Sequence, residues 1–308
     1  MARTGAFGTA IEKTQDPAIG SVLTKDHSCE RSRVTTYSVS LGVPRNLIFF
    51  VAGLLRANRK KLGTRRGTRK LSCYRQAVFI LAWMRDGGDI ERLGAGFGLS
   101  RTTSYVRHAE GLEVIAEQAP NLVEVLEQAV RDGLPFLILD GTLVPIDRLE
   151  EKKLSKKGKT IDAWYSGKGH EFAGNVQGLM TPFGVPLWTS EVYPGSEHDI
   201  TMAREQVLGI VQHYLAELPI LSDCGYEGAG WGVHVPVKQP KDGTDLSDDI
   251  RTYNMLLRGL RFQGERGFAL LFTRWKALAH VTMSPSRIGD LMRAAVVLTQ
   301  FEHKMVWR

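Results

Sequence analysis

The chain has 308 residues, 43% of them hydrophobic, enough for two ordinary domains with a well-buried core and too apolar for a disordered protein. Its formal net charge of +7 favours a polyanionic partner, nucleic acid before an acidic membrane surface. Three cysteines without CxxC spacing (Cys29, Cys73 and Cys224) argue against a disulfide framework or a zinc site and fit a reducing cytoplasm; no apolar run reaches membrane-spanning length, and the N-terminus carries no hydrophobic signal core.

Residues 1–33 are polar, without sustained periodicity, and are expected to form a mobile extension. Leu47, Ile48, Val51, Leu54 and Leu55 repeat at helical spacing. Between Arg56 and Arg75 nine residues are Lys or Arg and none is acidic, Arg65 and Arg66 among them. Such a run is either a solvated face or a phosphate-binding surface. A helix is predicted from Tyr74 to Met84, and a second from Asp89, a suitable N-cap, through Phe97. Gly98 breaks it, Ser100 caps a third, and the pattern over residues 89–108 is that of a helix-turn-helix. In that motif the second helix enters the major groove, which gives Arg101, Thr102, Thr103 and Arg107 base- and phosphate-contacting duty.

Another helix spans about Asn121 to Arg131, and then the pattern changes. Phe136 to Leu139 is a short apolar run of buried-strand type, ending in Asp140-Gly-Thr. Glu150 to Lys159, with Lys152, Lys153, Lys156, Lys157 and Lys159, reads as a charged hairpin tip or loop. Strands are predicted over Asn175–Met180, Pro186–Val192, Pro219–Ser222 and Val233–Val237, with a helix over His198–Val211, and residues 246–301 are mainly helical. The result is an α/β domain with a mixed sheet, preceded by an all-α region.

Asp140 and Asp223 each end a strand and precede a glycine within two residues. In open α/β sheets sites form beyond the carboxyl ends of strands, so the two can lie side by side. Paired carboxylates suit Mg²⁺, a hard cation with oxygen ligands, and a third from a helix would complete the set; Glu265 is the candidate. A strand-end aspartate before glycine is also a common turn former, and a lone helical glutamate is commonly solvated.

Six blocks sharpen that choice. Leu139-Asp-Gly-Thr-Leu-Val-Pro-Ile-Asp-Arg148 resembles the first-aspartate motif of the DDE superfamily endonucleases, in the bacterial insertion-sequence branch related to Harbinger transposases. Tyr165-Ser-Gly-Lys-Gly-His170 and Gly174-Asn-Val-Gln177 resemble the strands that follow there, and Pro194-Gly-Ser-Glu-His-Asp199 resembles a further conserved block of that branch. Asp223-Cys-Gly-Tyr-Glu-Gly228 is similar to the second-aspartate motif, and Gly264-Glu-Arg266 with Arg274-Trp275 to the glutamate helix. The resemblance spans about residues 35–298, in the family's order.

It implies an RNase H-like fold in which Asp140, Asp223 and Glu265 are catalytic and hold two Mg²⁺ ions, with Mn²⁺ as a substitute. Asp199 matches an aspartate that is either a further metal ligand or an N-terminal helix carboxylate. Lys168 and His170 become candidate DNA contacts. Trp275 is either a base-stacking platform or a core residue. The organisation expected is a 1–33 extension, a 34–120 DNA-binding region and a 134–300 catalytic domain. The activity implied is that of a transposase, cutting double-stranded DNA at terminal inverted repeats and joining it to target DNA, at least a homodimer on DNA, in the bacterial cytoplasm with the nucleoid and without a membrane partner. Cys224 and Phe272 stand where relatives more often carry lysine, and Gly267 is a weak helix former. An impaired or domesticated copy acting as a DNA-binding regulator is the alternative.

Overall fold

The computed structural model describes residues 40–155 and 157–305; the expected extension at 1–33 and Lys156 lie outside them. The chain divides into two units, Met1–Ser40 and Leu41–Arg308, and every element named below belongs to the second.

Helix α1 (Arg45–Lys61) follows Pro44 and buries Leu47, Ile48, Val51, Ala52 and Leu55 on one face. Its last turn carries Arg59, Lys60 and Lys61, at the end where the helix dipole is negative. Helix α2 (Cys73–Asp86) is capped by Ser72, whose side chain accepts from Arg75 N, and stops at left-handed Gly87. Asp89 caps α3 (Ile90–Gly96) and Ser100 caps α4 (Arg101–Ala116) through the predicted bonds to the third amide of each helix. Gly98, at φ 73°, makes the turn between them. A capping box of Asn121 and Glu124 opens α5 (Leu122–Arg131).

Strand β1 (Leu137–Pro145) is the sheet's centre, and the hairpin of β2 (Lys152–Leu154) and β3 (Thr160–Asp162) projects after it. Next come β4 (Tyr165–Ser166), β5 (Glu171–Met180), β6 (Pro186–Thr189) and β7 (Tyr193–Pro194). Then α6 (Asp199–Ala203), a π-helical turn at Arg204–Leu208 and α7 (Gly209–Val211) replace the single predicted helix. Strands β8 (Ile220–Leu221) and β9 (Val233–His234) precede the long α8 (Asp248–Arg274) and α9 (Ile288–Glu302).

β5 runs antiparallel to β1, from Ile138 opposite Met180 to Pro145 opposite Ala173, and its other edge carries β4, β7 and β6 in turn. β8 and then β9 extend the opposite side in parallel with β1. This antiparallel-then-parallel order, with helices on both faces, is the expected RNase H-like mixed sheet.

Alternation along β1 divides the core in two. Ile138 and Val144 join Val176, Met180, Phe268, Trp275 and the α9 residues Met292 and Ala295. Leu137 and Leu139 join Leu126 of α5, Val207, Val211 and Tyr226. The first of these cores is continuous with the apolar faces of α1, α2 and α4. Trp275 is fully buried and donates to Thr299 Oγ1 at 2.8 Å, so it is a core residue and not a stacking platform.

Candidate active site

The β1–β8 register places the two strand-end aspartates. Leu137 pairs with Ile220 and Ile138 with Leu221. Ser222 Oγ then donates to Leu139 O at 2.8 Å across the same offset of 83 residues, and Asp140 and Asp223 are separated by that offset too. They are therefore neighbours beyond the last paired residue of β8. Asp223 Oδ1 also accepts from Gly225 N at 2.7 Å, fixing the tight turn that follows.

Asp140 shares its face of β1 with Ile138, toward α8. A Cβ on Gly264 would stand 2.7 Å from Ile138 Cγ2 and 3.8 Å from Asp140 Cβ, so glycine lets α8 approach this strand closely. Gly267, one turn on, meets Met180 Sδ in the same way, at 2.7 Å. The weak helix former is thus a packing device that sets α8 against the sheet, while the Glu265 side chain on that helix is itself exposed. Arg261, one turn before Glu265, bridges the gap: Nη1 lies 3.4 Å from Asp140 Oδ2 and Nη2 donates to Glu265 Oε1 at 3.1 Å.

Asp199 comes from the opposite face. Gly141 points away from α8, and a Cβ there would meet Asp199 Oδ1 at 2.7 Å and Gln177 Nε2 at 2.9 Å. Asn175 Nδ2 donates to Asp199 Oδ1 at 2.8 Å, and Tyr226, fully buried, donates its hydroxyl hydrogen to Gln177 Oε1. Asn175, Gln177 and Tyr226 thus form a polar floor under this side of the site.

The carboxylates feel one another. Burial pushes Asp140 from 3.8 up to about 6; Arg261 pulls it back, and Asp223 and Asp199 push it further. Burial, and then Asp199, Asp140 and Asp223, drive the Tyr226 phenol well above its ordinary value. The donor set is all oxygen and mutually repelling, which is chemistry a hard divalent cation satisfies. Among the described residues, however, no three His, Cys, Asp or Glu side chains stand close enough to share an ion. Arg261 engages Asp140 and Glu265, and Asn175 donates to Asp199.

A cleft of about 930 Å³ leads to Asp199, lined also by Tyr165, Lys168, Asn175 and His198. Lys168 Nζ lies 3.9 Å from Asp199 Oδ2. His170 is exposed and left-handed, at φ 56°, with its N–H on Ser166 O. Of the lysines around the hairpin, Lys152 pairs with Asp162 and Lys153 with Glu197.

On α4, Arg101 and Thr102 are exposed, with Arg101 3.3 Å from Glu91, and Thr103 is half-buried with its hydroxyl on Ser100 Oγ. Arg107 is turned inward: its guanidinium lies 2.5 Å from Glu110, which also meets Arg69 and Gln76. Tyr105 and Val106, not singled out from sequence, share the exposed face with Arg101 and Thr102. Arg261 was also missed, although its helical i, i+4 spacing to Glu265 is legible. Gln177 and Tyr226 lie inside the quoted blocks but were given no role, since their contact depends on the turn after β8 packing against β5. Cys224 is exposed beside Asp223, and Phe272 packs against the core.

Residues 139–300 match the family model described as DDE superfamily endonuclease, a span that contains Asp140, Asp199, Asp223 and Glu265. No curated protein and no solved structure matches the chain.

Proposed function

Because the chain belongs to the DDE superfamily endonucleases, we propose that it is a transposase that cuts double-stranded DNA at the inverted repeats of an element and joins the freed 3′ end to target DNA. The observation that supports this most is the alignment of Asp140 and Asp223 at the ends of adjacent parallel strands inside the matched span. Asp140, Asp223 and Glu265 would hold a pair of divalent ions, Mg²⁺ or Mn²⁺, with Asp199 as a further ligand. Such a pair, when bound, supplies activation of the attacking oxygen and stabilisation of the leaving one.

The chain's own residues do the rest. Gly264 and Gly267 keep α8, the helix that carries Glu265, close to the sheet. Asn175 orients Asp199, and Gln177 with Tyr226 supports that side from below. Lys168 and His170, on the turn beside the cleft, receive backbone phosphate, and Arg261 must leave Asp140 before that carboxylate takes a cation. Helix α4 contacts duplex DNA through Arg101 and Thr102, with Thr103 and Tyr105 beside them. Holding two element ends at once calls for at least two copies of the chain.

Purified Asp140→Asn and Glu265→Gln should each lose metal-dependent cleavage of an end-containing duplex while still binding it. Normal cleavage by either variant would falsify the assignment. A regulator without catalysis draws support from one observation, the engagement of Asp140 and Glu265 by Arg261; wild-type protein that binds such a duplex but never cuts it with Mg²⁺ or Mn²⁺ would establish that alternative. Cleavage without strand transfer would reduce the protein to a plain nuclease.

A further inference from the structure

We propose that the cleft between the end of α1 and the start of α2 is a clamp for the DNA backbone, separate from the exposed face of α4 and indifferent to sequence. The proposal rests on the reading of this chain as a DNA-acting protein. The cleft measures about 830 Å³, and its walls carry Arg56, Lys60, Arg65 and Arg66, with Arg59 and Arg69 at the floor; no carboxylate lines it.

The two floor residues are committed inside the protein. Arg59 donates to Leu71 O at 3.0 Å and to Gln76 Oε1 at 2.6 Å, and Arg69 lies 3.4 Å from Glu110. The four wall residues are exposed, and none has a carboxylate within 4.0 Å among the described residues. Like charges gathered in one concavity focus a positive field, and among the described residues no carboxylate lines the cleft itself. The start of α2, at Ser72, Cys73 and Tyr74, also lines the cleft and adds its partial positive charge. The ligand that fits is a row of phosphodiesters.

Arg69 ties this cleft to α4. It also lines a neighbouring depression of about 380 Å³, where Val106 and Arg107 of that helix stand alongside Glu110, Glu113 and Glu117. A duplex meeting the exposed side of α4 reaches the basic cleft across this mixed-charge depression, so the cleft is a seat of its own. Contacts of this kind are made to phosphate alone and weaken binding equally on every sequence when removed.

The test uses the full chain and fluorescence anisotropy on two duplexes of unrelated sequence over a salt series. Arg65→Gln/Arg66→Gln should weaken binding about tenfold on both duplexes and flatten the slope of log K against log salt by about 2, since each lost phosphate contact is worth roughly 0.9. The charge-matched pair Arg131→Gln/Arg251→Gln should change neither; an equal loss there would show that only net charge matters and overturn the clamp. An unchanged slope in the cleft variant would overturn it too, as would a loss of binding to vesicles containing phosphatidylserine with DNA binding intact. Thermal melts verify that the variants fold, and Lys60→Gln, on the same wall, should flatten the slope by about 1. If wild-type protein binds with this salt behaviour but cuts nothing, the clamp stands and only the nuclease function falls.

Discussion

Arg261 reaches from α8 to Asp140 on β1, with Nη1 3.4 Å from Oδ2, and its other terminal nitrogen holds Glu265. One guanidinium thus occupies two of the acidic groups that the proposed chemistry needs. Its side chain is only 17% exposed, so water screens the contact weakly. At an effective dielectric near 20, unit charges about 4 Å apart interact by roughly 4 kcal/mol before desolvation is counted. Arg261 is an internal cation that balances a crowded acidic site and, under the proposed function, would compete with a metal ion for it.

Replacing it by glutamine should therefore strengthen Mn²⁺ binding to the DNA-free protein about tenfold, read by isothermal titration calorimetry. The measurement belongs at pH 8, because losing Arg261 removes an influence that lowers the Asp140 pKa and that carboxyl must stay ionised. Mn²⁺ affinity that is unchanged or weaker in Arg261→Gln would show that the guanidinium does not compete.

How far the sequence reached follows from the range over which each signal acts. Asp140 and Asp223 were legible because an apolar run ending in Asp before Gly is a local pattern, and strand-end logic is general. Asp199 came only through resemblance: it starts a five-residue helix, and its closeness to Gly141 depends on packing across the sheet. Both helices of the 89–108 region were set by Asp89, Gly98 and Ser100, whose bonds span three residues. The inward turn of Arg107 was not, since Glu110, Arg69 and Gln76 converge on it from two further segments. The predicted strand at Pro186–Val192 ends at Thr189 because the chain bends there and pairs again as β7. Strands as short as β4, β7 and β9 hold too few residues to show alternation.

The raised pKa of Asp140 has a consequence for stability. Its folded value, about 6, lies above its ordinary 3.8, chiefly through burial. The folded state therefore prefers the protonated acid, and stability falls as pH rises through the window from about 4 to 6. Roughly two units correspond to about 3 kcal/mol. Asp140→Asn should consequently melt at a higher temperature than wild type at pH 7.5 in EDTA, with the gap closing near pH 4. Calorimetric melts at the two pH values check this, and equal melting temperatures at pH 7.5 would contradict it.

His108 works in the opposite direction. It is buried edge-on against Trp83 at 4.1 Å, and burial first, then Arg287, lowers its pKa from 6.5 to about 4. The folded state prefers the neutral ring, so the stability tied to it is complete above about 6.5 and is lost as pH falls toward 4. In wild type this loss runs against the gain at Asp140. In Asp140→Asn the His108 effect is no longer opposed by Asp140, and adding His108→Phe should flatten the decline in melting temperature between pH 6.5 and 4. A decline that persists in the double variant would place the acid sensitivity elsewhere.

Two glycines of α8 separate site geometry from helix propensity. At Gly264 an added methyl would stand 2.7 Å from Ile138 Cγ2, a branched and fully buried side chain with nowhere to withdraw. At Gly259 the same methyl meets nothing within 4 Å. Alanine is the better helix former by about 1 kcal/mol, so Gly259→Ala should raise the melting temperature by a few degrees and leave cleavage unchanged. Gly264→Ala gains the same propensity, but α8 must shift away from β1 and carry Glu265 with it. A displacement of about 1 Å in a reacting group costs on the order of 100-fold in rate. Single-turnover cleavage at saturating Mn²⁺ should therefore drop about 100-fold in Gly264→Ala, with duplex binding retained because α4 and the basic cleft lie on other elements. Equal cleavage by the two alanine variants would mean that close contact between α8 and β1 does not set the position of Glu265.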